Sequence, residues 1–427
     1  MKKVILILSK IAIIGLGYVG LPLAQLFLQN QHVVYGIDYD VKKVAAINNG
    51  KSYLSDFKDK DIEKMVQTGN FFVSNSYEAI SNAEAIILCV PTPLSEDDTP
   101  DISYIENAIS KSLPFLKNEQ LVILESSTYP GTTEEIIVPL ISQNKKFTIG
   151  NDFFVAYSPE RIDPGQKQFG LHQIPKIVGG VTQKCTERAK SIYETIFKSV
   201  VTVSSPKVAE MSKLVENTQR LLNISLMNEL AMFCDKMEIN LWEVIEACST
   251  KPFGFTPYFP GPGIGGHCIP VDPLYLLWKA EKHHSELASI KVAHEINQRM
   301  PQFVLEKIAK HIKKPLSTAN LFVIGVTYKK DVNDIRESKA LDILTSLMEL
   351  GANVDYHDPF IPQLYVKNAE LQSTPLSSEK LKAADCILIL TDHSYIDYDM
   401  ILEESNLIID TRNAIKSKKH FGKVVLL

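Results

Sequence analysis

The feature that most constrains the fold is a set of three glycines near the start of the chain. Gly15, Gly17 and Gly20 stand at G-x-G-x-x-G spacing, directly after the apolar, β-branched run at residues 11–14. A helical pattern follows as far as about Gln29. A strand, a glycine turn and a helix in this order let the backbone approach a pyrophosphate at the helix N-terminus. The sequence therefore predicts a dinucleotide-binding turn, although a glycine-rich turn without a ligand has the same spacing.

The acid that follows this turn predicts which dinucleotide binds. A second apolar run, Val33–Ile37, ends at Asp38, the position that lies beside the adenosine ribose in such a βαβ unit. A carboxylate there accepts hydrogen bonds from the ribose hydroxyls and repels a 2′-phosphate. Because Tyr39 and Asp40 supply no arginine to reverse that preference, we predict NAD rather than NADP as the cofactor.

Strand and helix signals continue along the chain. Further short strands are expected at residues 85–90, 121–124, 153–156 and 176–178. From residue 208 to about Met237 the pattern predicts one long helix, because no Gly or Pro interrupts it. A helix at 241–248, a Pro- and Gly-rich loop at 252–270 and a further helix are expected to follow.

The last third of the chain repeats the order of the first. A strand ending at Gly325, a helix at about 339–350 and a strand ending near Asp358 match the first βαβ unit. Two further apolar runs match in order, 83–90 with 384–390 and 120–126 with 406–411. We predict an α/β fold of two Rossmann-like, doubly wound parallel sheets joined by a central α-helical domain with one long helix. Chance matching of apolar strands is the alternative.

Composition excludes several classes of function. A net charge of −5 over 427 residues gives no basic surface for nucleic acid. No apolar run approaches the ~20 residues of a membrane span, so we expect no membrane partner. The six cysteines are scattered without C-x-x-C or Cys/His spacing, which predicts no metal site and no disulfides and favours a reducing, cytoplasmic compartment.

The first residues resemble the start of a secretory signal. Lys2 and Lys3 precede an apolar run, but Lys10 interrupts that run and no small-residue cleavage site precedes the glycines. We interpret residues 4–14 as a leader followed by a buried strand.

One cysteine lies in unusual surroundings. Cys268 follows Gly265, Gly266 and His267 within a loop at residues 261–273 that is rich in glycine and proline. Glycines expose backbone amides, which can bind a phosphate or an oxyanion. The other cysteines lie in predicted apolar strands and helices, so this cysteine is the candidate nucleophile. A structural role for it is the alternative.

The predicted long helix carries a row of polar side chains. Lys213, Asn217 and Arg220 are spaced i, i+4 and i+7 and therefore share one face. Such a row is usually a solvated face, and Glu216 fits that interpretation. The apolar character of the rest of the helix favours a buried Lys–Asn pair, which can polarise an alkoxide.

Together these features resemble the UDP-glucose/GDP-mannose dehydrogenase family. The matching segments follow the family's order and are residues 15–20, 90–93, 125–128, 158–161, 209–217, 265–268, 328–329 and 334–338. The resemblance implies a four-electron oxidation, in which the C6 alcohol of a UDP-linked sugar becomes a carboxylate and two NAD⁺ are consumed at one active site. The product is expected to enter surface polysaccharide synthesis.

The resemblance also implies which residues carry the chemistry. The catalytic residues it assigns are Cys268, Lys213, Asn217, Asp272, Glu160 and Thr128. The cysteine adds to the aldehyde to give a thiohemiacetal, which loses a second hydride and becomes a thioester. Lys213 and Asn217 stabilise the oxyanion. Glu160, Thr128 and Asp272 hold or activate the water that hydrolyses the thioester.

Ligand-binding residues and domains are implied in the same way. The cofactor-binding residues are Gly15, Gly17, Tyr18, Val19, Gly20, Asp38, Lys43, Thr92, Thr128 and Arg336. The substrate-binding residues are Arg161, Lys213, Asn217, Arg220, Tyr258, Phe259, Gly261, Gly263, His267 and Lys329. The expected domains are an NAD-binding domain at 1–206, a helical domain with the cysteine loop at 207–303 and a UDP-sugar-binding domain at 304–427. A homodimer built on the central helices is expected.

Departures from the family pattern bear on the sugar. Val271 stands where UDP-glucose enzymes typically carry lysine, and Arg161 stands where they tend to carry phenylalanine. His267 and the loop before it resemble enzymes of 2-acetamido sugars, those for UDP-GlcNAc most closely. Residues 251–253 replace the His-Pro-Arg stretch of UDP-ManNAc enzymes. We therefore expect UDP-GlcNAc, with UDP-GalNAc, UDP-ManNAc and UDP-glucose as alternatives, since sequence does not reveal the contacts that set configuration.

Two other classes of protein share parts of this pattern. A single-step β-hydroxyacid dehydrogenase has the same N-terminal fold and a helical domain, but needs neither Cys268 nor a third domain. A nucleotide-sugar-binding protein that retained the fold would bind ligand without turnover.

Overall fold

The computed structural model describes residues 9–54, 57–95, 97–161, 169–367, 369–416 and 422–427. The interpretation of residues 4–8 as part of a leader and strand lies outside them. The chain divides into two compact units, residues up to Glu216 with Leu274–Ser285, and Asn217–Pro273 with Glu286–Leu427. This division falls inside the long helix, and the three domain boundaries stay a prediction.

An eight-stranded sheet forms the centre of the first unit. Its strands are β1 (Lys10–Ile14), β2 (Val33–Ile37), β3 (Phe71–Ser74), β4 (Ala85–Leu88), β5 (Leu121–Leu124), β6 (Phe154–Tyr157), β7 (Lys176–Gly180) and β8 (Val200–Thr202). They lie in the order β3-β2-β1-β4-β5-β6-β7-β8. The first six are parallel, in the 3-2-1-4-5-6 order of a Rossmann fold, which confirms the predicted fold of this half.

The seventh strand departs from the parallel pattern. β7 pairs antiparallel with β6, with Tyr157 opposite Gly179 and Ala156 opposite Gly180. In an antiparallel neighbour the first residue lies at the edge where the preceding strand ends. Lys176, the first residue of β7, therefore reaches the edge at which β5 and β6 end.

Burial explains why the central strands read as continuous apolar runs. Successive side chains of β1 point to opposite faces, so Ile11 and Ile13 enter one core cluster and Ala12 and Ile14 the other. Both faces of β4 and β5 are likewise covered, and all their residues are buried. A sheet covered on both faces has no solvated face that would require alternating polar residues.

A five-stranded parallel sheet lies at the centre of the second unit. Its strands are β9 (Asn320–Ile324), β10 (Asn353–His357), β13 (Cys386–Ile389), β14 (Ile408–Asp410) and β15 (Val424–Leu426), and a separate hairpin holds β11 (Gln363–Val366) and β12 (Ala369–Gln372). The order is β10-β9-β13-β14-β15. Its first four members correspond to β2-β1-β4-β5, so the predicted internal repeat is confirmed.

The repeat extends to the turn after the first strand of each sheet. Gly15 and Gly325 have φ of +93° and +80°, and an added Cβ would overlap a backbone carbonyl in both turns. The aspartate that directly follows the neighbouring strand, Asp38 after β2 and Asp358 after β10, accepts the N–H of the residue after the glycine. Leu16 N donates to Asp38 Oδ2 at 2.9 Å and Val326 N to Asp358 Oδ2 at 2.8 Å. The two halves thus share the backbone conformation of this turn as well as a strand order.

The helices follow the predicted pattern. They are α1 (Gly20–Gln29), α2 (Val41–Asn48), α3 (Asp59–Gln67), α4 (Ser103–Ser112), α5 (Val138–Lys145), α6 (Gln183–Tyr193), α7 (Pro206–Lys236), α8 (Leu241–Ser249), α9 (Asp272–Lys282), α10 (Ala288–His311), α11 (Lys339–Glu349), α12 (Ser378–Ala383) and α13 (Tyr398–Glu404). The predicted long helix is α7, with 31 residues. In the part of the chain that the structure describes, none of the helices is long and apolar enough to cross a membrane.

Candidate active site

The three glycines of the first turn have different reasons for lacking a side chain. A Cβ on Gly15 would overlap the Cys89 carbonyl oxygen, and a Cβ on Gly20 would overlap the Gly15 carbonyl oxygen. A Cβ on Gly17 would have no described protein atom within 4 Å. Gly15 and Gly20 are therefore required by packing, whereas Gly17 leaves open the space into which a pyrophosphate approaches. The turn fits NAD.

The start of α1 is suited to an anion. No side chain caps the helix at Val19, and its first turn holds no acidic residue. The first N–H groups of a helix have no intrahelical acceptor, and the helix dipole favours negative charge there. Tyr18 and Val19, two predicted cofactor-binding residues, lie half-buried at this end.

Asp38 is fixed before any ligand arrives. Its carboxylate is buried, and the two oxygens accept hydrogen bonds from the backbone N–H groups of Leu16 at 2.9 Å and Asp40 at 3.0 Å. Each carboxylate oxygen has a second lone pair, so ribose hydroxyls can still donate to it. The Lys43 ammonium lies 3.9 Å from Asp38 Oδ2, which places this predicted cofactor residue at the same position.

Tyr53 is a residue of this turn that the sequence analysis missed. Its hydroxyl donates to the carbonyl oxygen of Leu16 in the glycine turn, and its ring lies 5.7 Å from the Lys43 ammonium. Burial, with the negative charge of Asp38, raises the pKa of the Tyr53 hydroxyl, which therefore stays a neutral donor. Neither spacing nor periodicity distinguished this tyrosine from others in the chain.

Predicted catalytic residues of the first unit lie in the segments after β5 and β6 and on α7. The Lys213 ammonium donates to the Glu160 carbonyl oxygen at 2.9 Å, and both side chains are buried. The solvated-face interpretation is therefore wrong for Lys213. Thr128 is fully buried, and its hydroxyl pairs with that of Thr132 at 2.6 Å. Thr92 is buried as well.

Arg161, a predicted substrate-binding residue, is engaged with protein partners. Its Nη2 lies 2.6 Å from Glu216 Oε1, and its Nη1 donates to the Pro175 carbonyl oxygen at 2.9 Å. Glu216 is thus an ion-pair partner rather than only a solvated residue of the α7 face. A role for Arg161 in holding a sugar nucleotide stays a prediction.

In the second unit, three predicted catalytic residues come together. Asp272, the first residue of α9, is fully buried, and its Oδ2 accepts a hydrogen bond from Asn217 Nδ2 at 2.6 Å. Its backbone N–H donates to the Cys268 carbonyl oxygen at 2.9 Å. Cys268 is partly exposed, whereas four of the other cysteines, all with free thiols, are buried and Cys248 is exposed. The arrangement places a partly exposed cysteine next to a buried carboxylate that the Asn217 amide holds.

The glycines before this cysteine have a role that differs from the predicted one. A Cβ on Gly266, with φ of +86°, would lie 2.7 Å from the Tyr328 ring, and a Cβ on Gly265 would lie 2.5 Å from the Glu337 carbonyl oxygen. A Cβ on Gly263, with φ of +123°, would lie 2.7 Å from a side-chain carbon of Lys339. These glycines let the loop pack closely against residues 328–339.

Two of the loop amides already have protein acceptors. Gly261 donates to Asn228 Oδ1 and Gly266 to the Arg336 carbonyl oxygen, both at 3.0 Å. The interpretation of these amides as exposed donors for a phosphate or oxyanion is therefore wrong at both positions. Asn297 holds the loop between them, since its Oδ1 accepts from Ile264 N at 2.6 Å. Sequence reasoning missed both asparagines, which lie inside helices.

Comparison with known proteins now decides the family. Residues 9–197, 207–299 and 322–417 match the NAD binding, central and UDP binding domains of the UDP-glucose/GDP-mannose dehydrogenase family. The chain belongs to this family. It is accordingly an NAD-dependent nucleotide-sugar dehydrogenase.

Similar proteins cover the whole chain. UDP-N-acetyl-D-mannosamine dehydrogenase from Methanococcus maripaludis is 34% identical, over 98% of this chain and 97% of its own length. NDP-N-acetyl-D-galactosaminuronic acid dehydrogenase from Ralstonia nicotianae is 33% identical, over 96% and 97%. The solved structure of UDP-D-ManNAc dehydrogenase from Pyrococcus horikoshii has a TM-score of 0.87 at 33% identity and covers 98% of both chains.

The family's UDP binding region contains two predicted ligand residues. Lys329 is half-buried, and its carbonyl oxygen accepts a hydrogen bond from the Thr327 hydroxyl at 2.9 Å. Arg336 is exposed, and its guanidinium pairs with both carboxylate oxygens of Asp334, Nη2 to Oδ2 at 2.6 Å. A contact of Arg336 with NAD stays a prediction.

The remaining predicted substrate residues belong to the second unit. Phe259 stacks on Trp242, with ring centroids 5.6 Å apart and an interplanar angle of 14°. Tyr258 packs against a buried apolar cluster of α7 and α8, while Arg220 and His267 are half-buried. Among the described residues of this nucleotide-sugar dehydrogenase, no group of three His, Cys, Asp or Glu side chains is placed to hold a metal ion.

Arg412 is a further residue of this region that sequence reasoning missed. Its Nη1 lies 2.6 Å from the position that a Cβ on Gly261 would take, so a side chain there would overlap the guanidinium. Its Nε donates to the Leu390 carbonyl oxygen at 2.9 Å. Burial lowers the pKa of the guanidinium, although the charges of Asp392 and Asp410 oppose this, and arginine stays protonated in proteins. A half-buried cation against the substrate loop suits a phosphate group. The D-T-R sequence at the end of β14 was the available signal.

Proposed function

We propose that this dehydrogenase oxidises the C6 alcohol of a UDP-linked 2-acetamido sugar to a carboxylate. The observation that carries the proposal is the hydrogen-bonded set of Asn217, Asp272 and Cys268 in a glycine-rich loop of the second unit. A one-step alcohol dehydrogenase has no use for a thiol so placed, because an aldehyde product needs no covalent capture. Two-step oxidation to an acid does need it.

The chain's own residues account for each step of this reaction. NAD supplies the hydride acceptor. Water held by the Lys213 ammonium receives the hydroxyl proton as the first hydride leaves C6. The Cys268 sulfur then bonds to the aldehyde carbon, and Asn217 and Lys213 stabilise the oxygen of the thiohemiacetal. Loss of the second hydride, together with the hydroxyl proton, which passes to water, leaves a thioester. Water forms a C–O bond as the C–S bond breaks, and its proton passes to Glu160.

The configuration of the sugar has two lines of support. Relatives at 34% to 37% identity are named UDP-N-acetyl-D-mannosamine dehydrogenases, and one at 33% is named for a galactosaminuronic acid. The residues around Cys268 favour the gluco sugar in the sequence analysis. The 2-acetamido group is common to all of these substrates. We therefore propose the acetamido class, with manno as the configuration favoured by the relatives and gluco as that favoured by the loop.

The test is an assay of NADH and UDP-uronate formation on UDP-ManNAc, UDP-GlcNAc, UDP-GalNAc and UDP-glucose. We expect two NADH per sugar and a preference of at least about tenfold for an acetamido sugar, the discrimination that one recognised group supplies. Cys268→Ala should abolish UDP-uronate formation while NADH binding is retained. Cys248→Ala, at an exposed cysteine, is the matched control and should behave as the unmodified chain.

Two results would overturn the proposal. One NADH per sugar would indicate a single-step dehydrogenase. A preference for UDP-glucose would refute the acetamido assignment while leaving the two-step chemistry intact.

We also propose a homodimer built on α7. Five apolar side chains on one face of this helix, spaced at helical intervals, are 40% to 57% exposed: Val208, Met211, Val215, Leu226 and Phe233. A helix of 31 residues is about 46 Å long, so the stripe extends over a length suited to an interface. A second copy presents the same stripe and is self-complementary in two-fold symmetry.

The molar mass in solution tests the dimer. We expect a dimer by sedimentation equilibrium, and a monomer when Leu226→Glu and Phe233→Glu are combined. Tyr365→Glu, at an exposed aromatic on the β11–β12 hairpin, is the control and should leave the mass unchanged. A monomeric unmodified chain would refute the proposal. The three-domain boundaries and the cytoplasmic location stay predictions.

A further inference from the structure

A buried ion cluster lies behind the predicted catalytic Glu160. The Lys176 ammonium lies 3.1 Å from Glu160 Oε2 and 2.9 Å from Glu125 Oε2. The three residues are only 3%, 6% and 1% exposed, respectively. Lys176 was absent from the predicted site, because in sequence it is merely the first residue of a short strand. Its contacts require an explanation, since burying one cation between two carboxyls is costly unless the geometry serves a purpose.

The strand topology explains how the cluster forms. Glu125 follows β5, Glu160 follows β6, and both strands end at the same edge of the sheet. β7 is antiparallel to β6, so its first residue arrives at that edge instead of the opposite one. The single reversal in strand direction thus delivers Lys176 to the two carboxyls.

The two carboxyls differ in their other partners. Glu160 Oε1 accepts the backbone N–H of Arg161 at 2.7 Å, and its carbonyl oxygen accepts the Lys213 ammonium at 2.9 Å. Glu125 Oε1 is bonded instead to the buried Tyr193 hydroxyl. Burial and the nearby charge of Glu160 raise the pKa of the Glu125 carboxyl, although Lys176 opposes this. Glu125 therefore takes up a proton more readily than an exposed glutamate does.

Two other titratable groups of the described residues lie beside the cluster and add no charge to it. Burial raises the pKa of the Cys89 thiol and of the Tyr193 hydroxyl well above their ordinary values, so both are neutral near pH 7. Among the described residues, the ionisable groups beside Glu160 include Lys176 of β7, Lys213 of α7, Glu125 and Cys89, with Tyr193 of α6 behind Glu125.

We propose that Lys176 is a positioning residue that holds the Glu160 carboxylate ionised and in a fixed orientation, with Glu125 and Tyr193 anchoring the ammonium from behind. This inference rests on the proposed function, in which Glu160 receives a proton from the water that attacks the thioester. Lys176 bonds to the carboxylate oxygen and needs no contact with substrate. The expected consequence is that thioester hydrolysis depends on Lys176 as strongly as on Glu160 itself.

The test compares UDP-uronate formation across pH in the full-length enzyme. Lys176→Met should slow formation by about 100-fold, the lower range for loss of a general base. The acid limb of the pH–rate profile of Lys176→Met should shift to higher pH, because Glu160 without the ammonium protonates more easily. Lys176→Arg should restore most of the rate. The double variant Lys176→Met/Glu160→Gln should be no slower than Glu160→Gln alone, because both substitutions disable one unit.

Mass spectrometry supplies a second measurement. A sugar adduct on Cys268 should accumulate in Lys176→Met and Glu160→Gln, since both slow the step that removes it. The inference would be overturned if Lys176→Met kept the wild-type rate and the wild-type acid limb of the pH–rate profile. It would also be overturned if the loss of rate in the double variant equalled the product of the two single losses. A wild-type chain that forms no UDP-uronate would instead refute the proposed function.

A matched pair of conservative substitutions keeps the inference testable if Lys176→Met does not fold. Glu160→Gln and Glu125→Gln each neutralise one carboxyl on the same ammonium. We expect a loss of about 100-fold or more for Glu160→Gln and about fivefold or less for Glu125→Gln, which mimics a protonated carboxyl. Equal losses, or the reverse order, would overturn the assignment.

Discussion

In the glycine turn after β1, two substitutions that each add one methyl group can separate the effects on stability and on cofactor binding. Gly15→Ala and Gly17→Ala place the same methyl group two residues apart in one turn. At Gly15 the methyl would overlap the Cys89 carbonyl oxygen on a backbone with φ of +93°. At Gly17 the methyl would meet no described protein atom within 4 Å, and φ lies outside the left-handed region. Gly15→Ala should therefore mainly lower stability, whereas Gly17→Ala should mainly lower the affinity for the cofactor.

The magnitudes follow from these surroundings. Backbone strain of this type costs about 1–3 kcal/mol, and displacing the Cys89 carbonyl adds to it, so we expect Gly15→Ala to lose about 2–4 kcal/mol of unfolding free energy. Gly17→Ala reduces the entropy of the unfolded chain and should gain about 0.4–1 kcal/mol. Its methyl occupies the approach of the pyrophosphate, and we expect NADH affinity to fall at least tenfold, about 1.4 kcal/mol.

The chain offers a convenient probe for this measurement. It has two tryptophans, of which Trp278 belongs to the first unit and packs on Tyr129 at 4.7 Å. In a Trp242→Phe background, fluorescence during urea unfolding reports on the unit that holds the turn. NADH titration of the same variants gives the affinity. Wild-type NADH affinity in Gly17→Ala, or equal destabilisation by both substitutions, would refute the reasoning.

Three further predictions concern single polar contacts. Asn297→Ala leaves the buried backbone groups of Ile264 unpaired and should lower the free energy of unfolding by about 2–4 kcal/mol. Urea unfolding with Trp242 fluorescence as the probe measures this loss. An unchanged free energy of unfolding would contradict the assigned contacts. Tyr53→Phe removes a donor to the glycine turn and should weaken NADH binding a few-fold, about 1 kcal/mol, with unchanged affinity as the contrary result. Asp358→Asn should destabilise at pH 7. Burial opposes ionisation, but hydrogen bonds from His393 and backbone N–H groups lower the pKa of Asp358. Its stabilisation is therefore present above pH ~4 and lost as pH falls further, so urea midpoints of variant and wild type should converge in acid. A constant difference would refute this.

Sequence alone determined the two sheets and most of their order. Apolar runs without polar alternation indicate strands buried on both faces, and the glycines after β1 and β9 mark the turns. It also singled out Cys268, because a thiol among glycines and prolines has no packing explanation in a linear pattern. The apolar residues of α7 also pointed to the burial of Lys213, whereas its role in catalysis stays a prediction.

Contacts between distant segments were decided only by the tertiary structure. The composition of β7 does not show in which direction the strand runs, yet this direction brings Lys176 to Glu160. The glycines before Cys268 looked like donors for a ligand, whereas Gly265 and Gly266 are required by the close approach of residues 328–339. A sequence shows which residues can bend or ionise. Which neighbour uses that property depends on strand direction and loop packing, since both set distances between residues far apart in the chain.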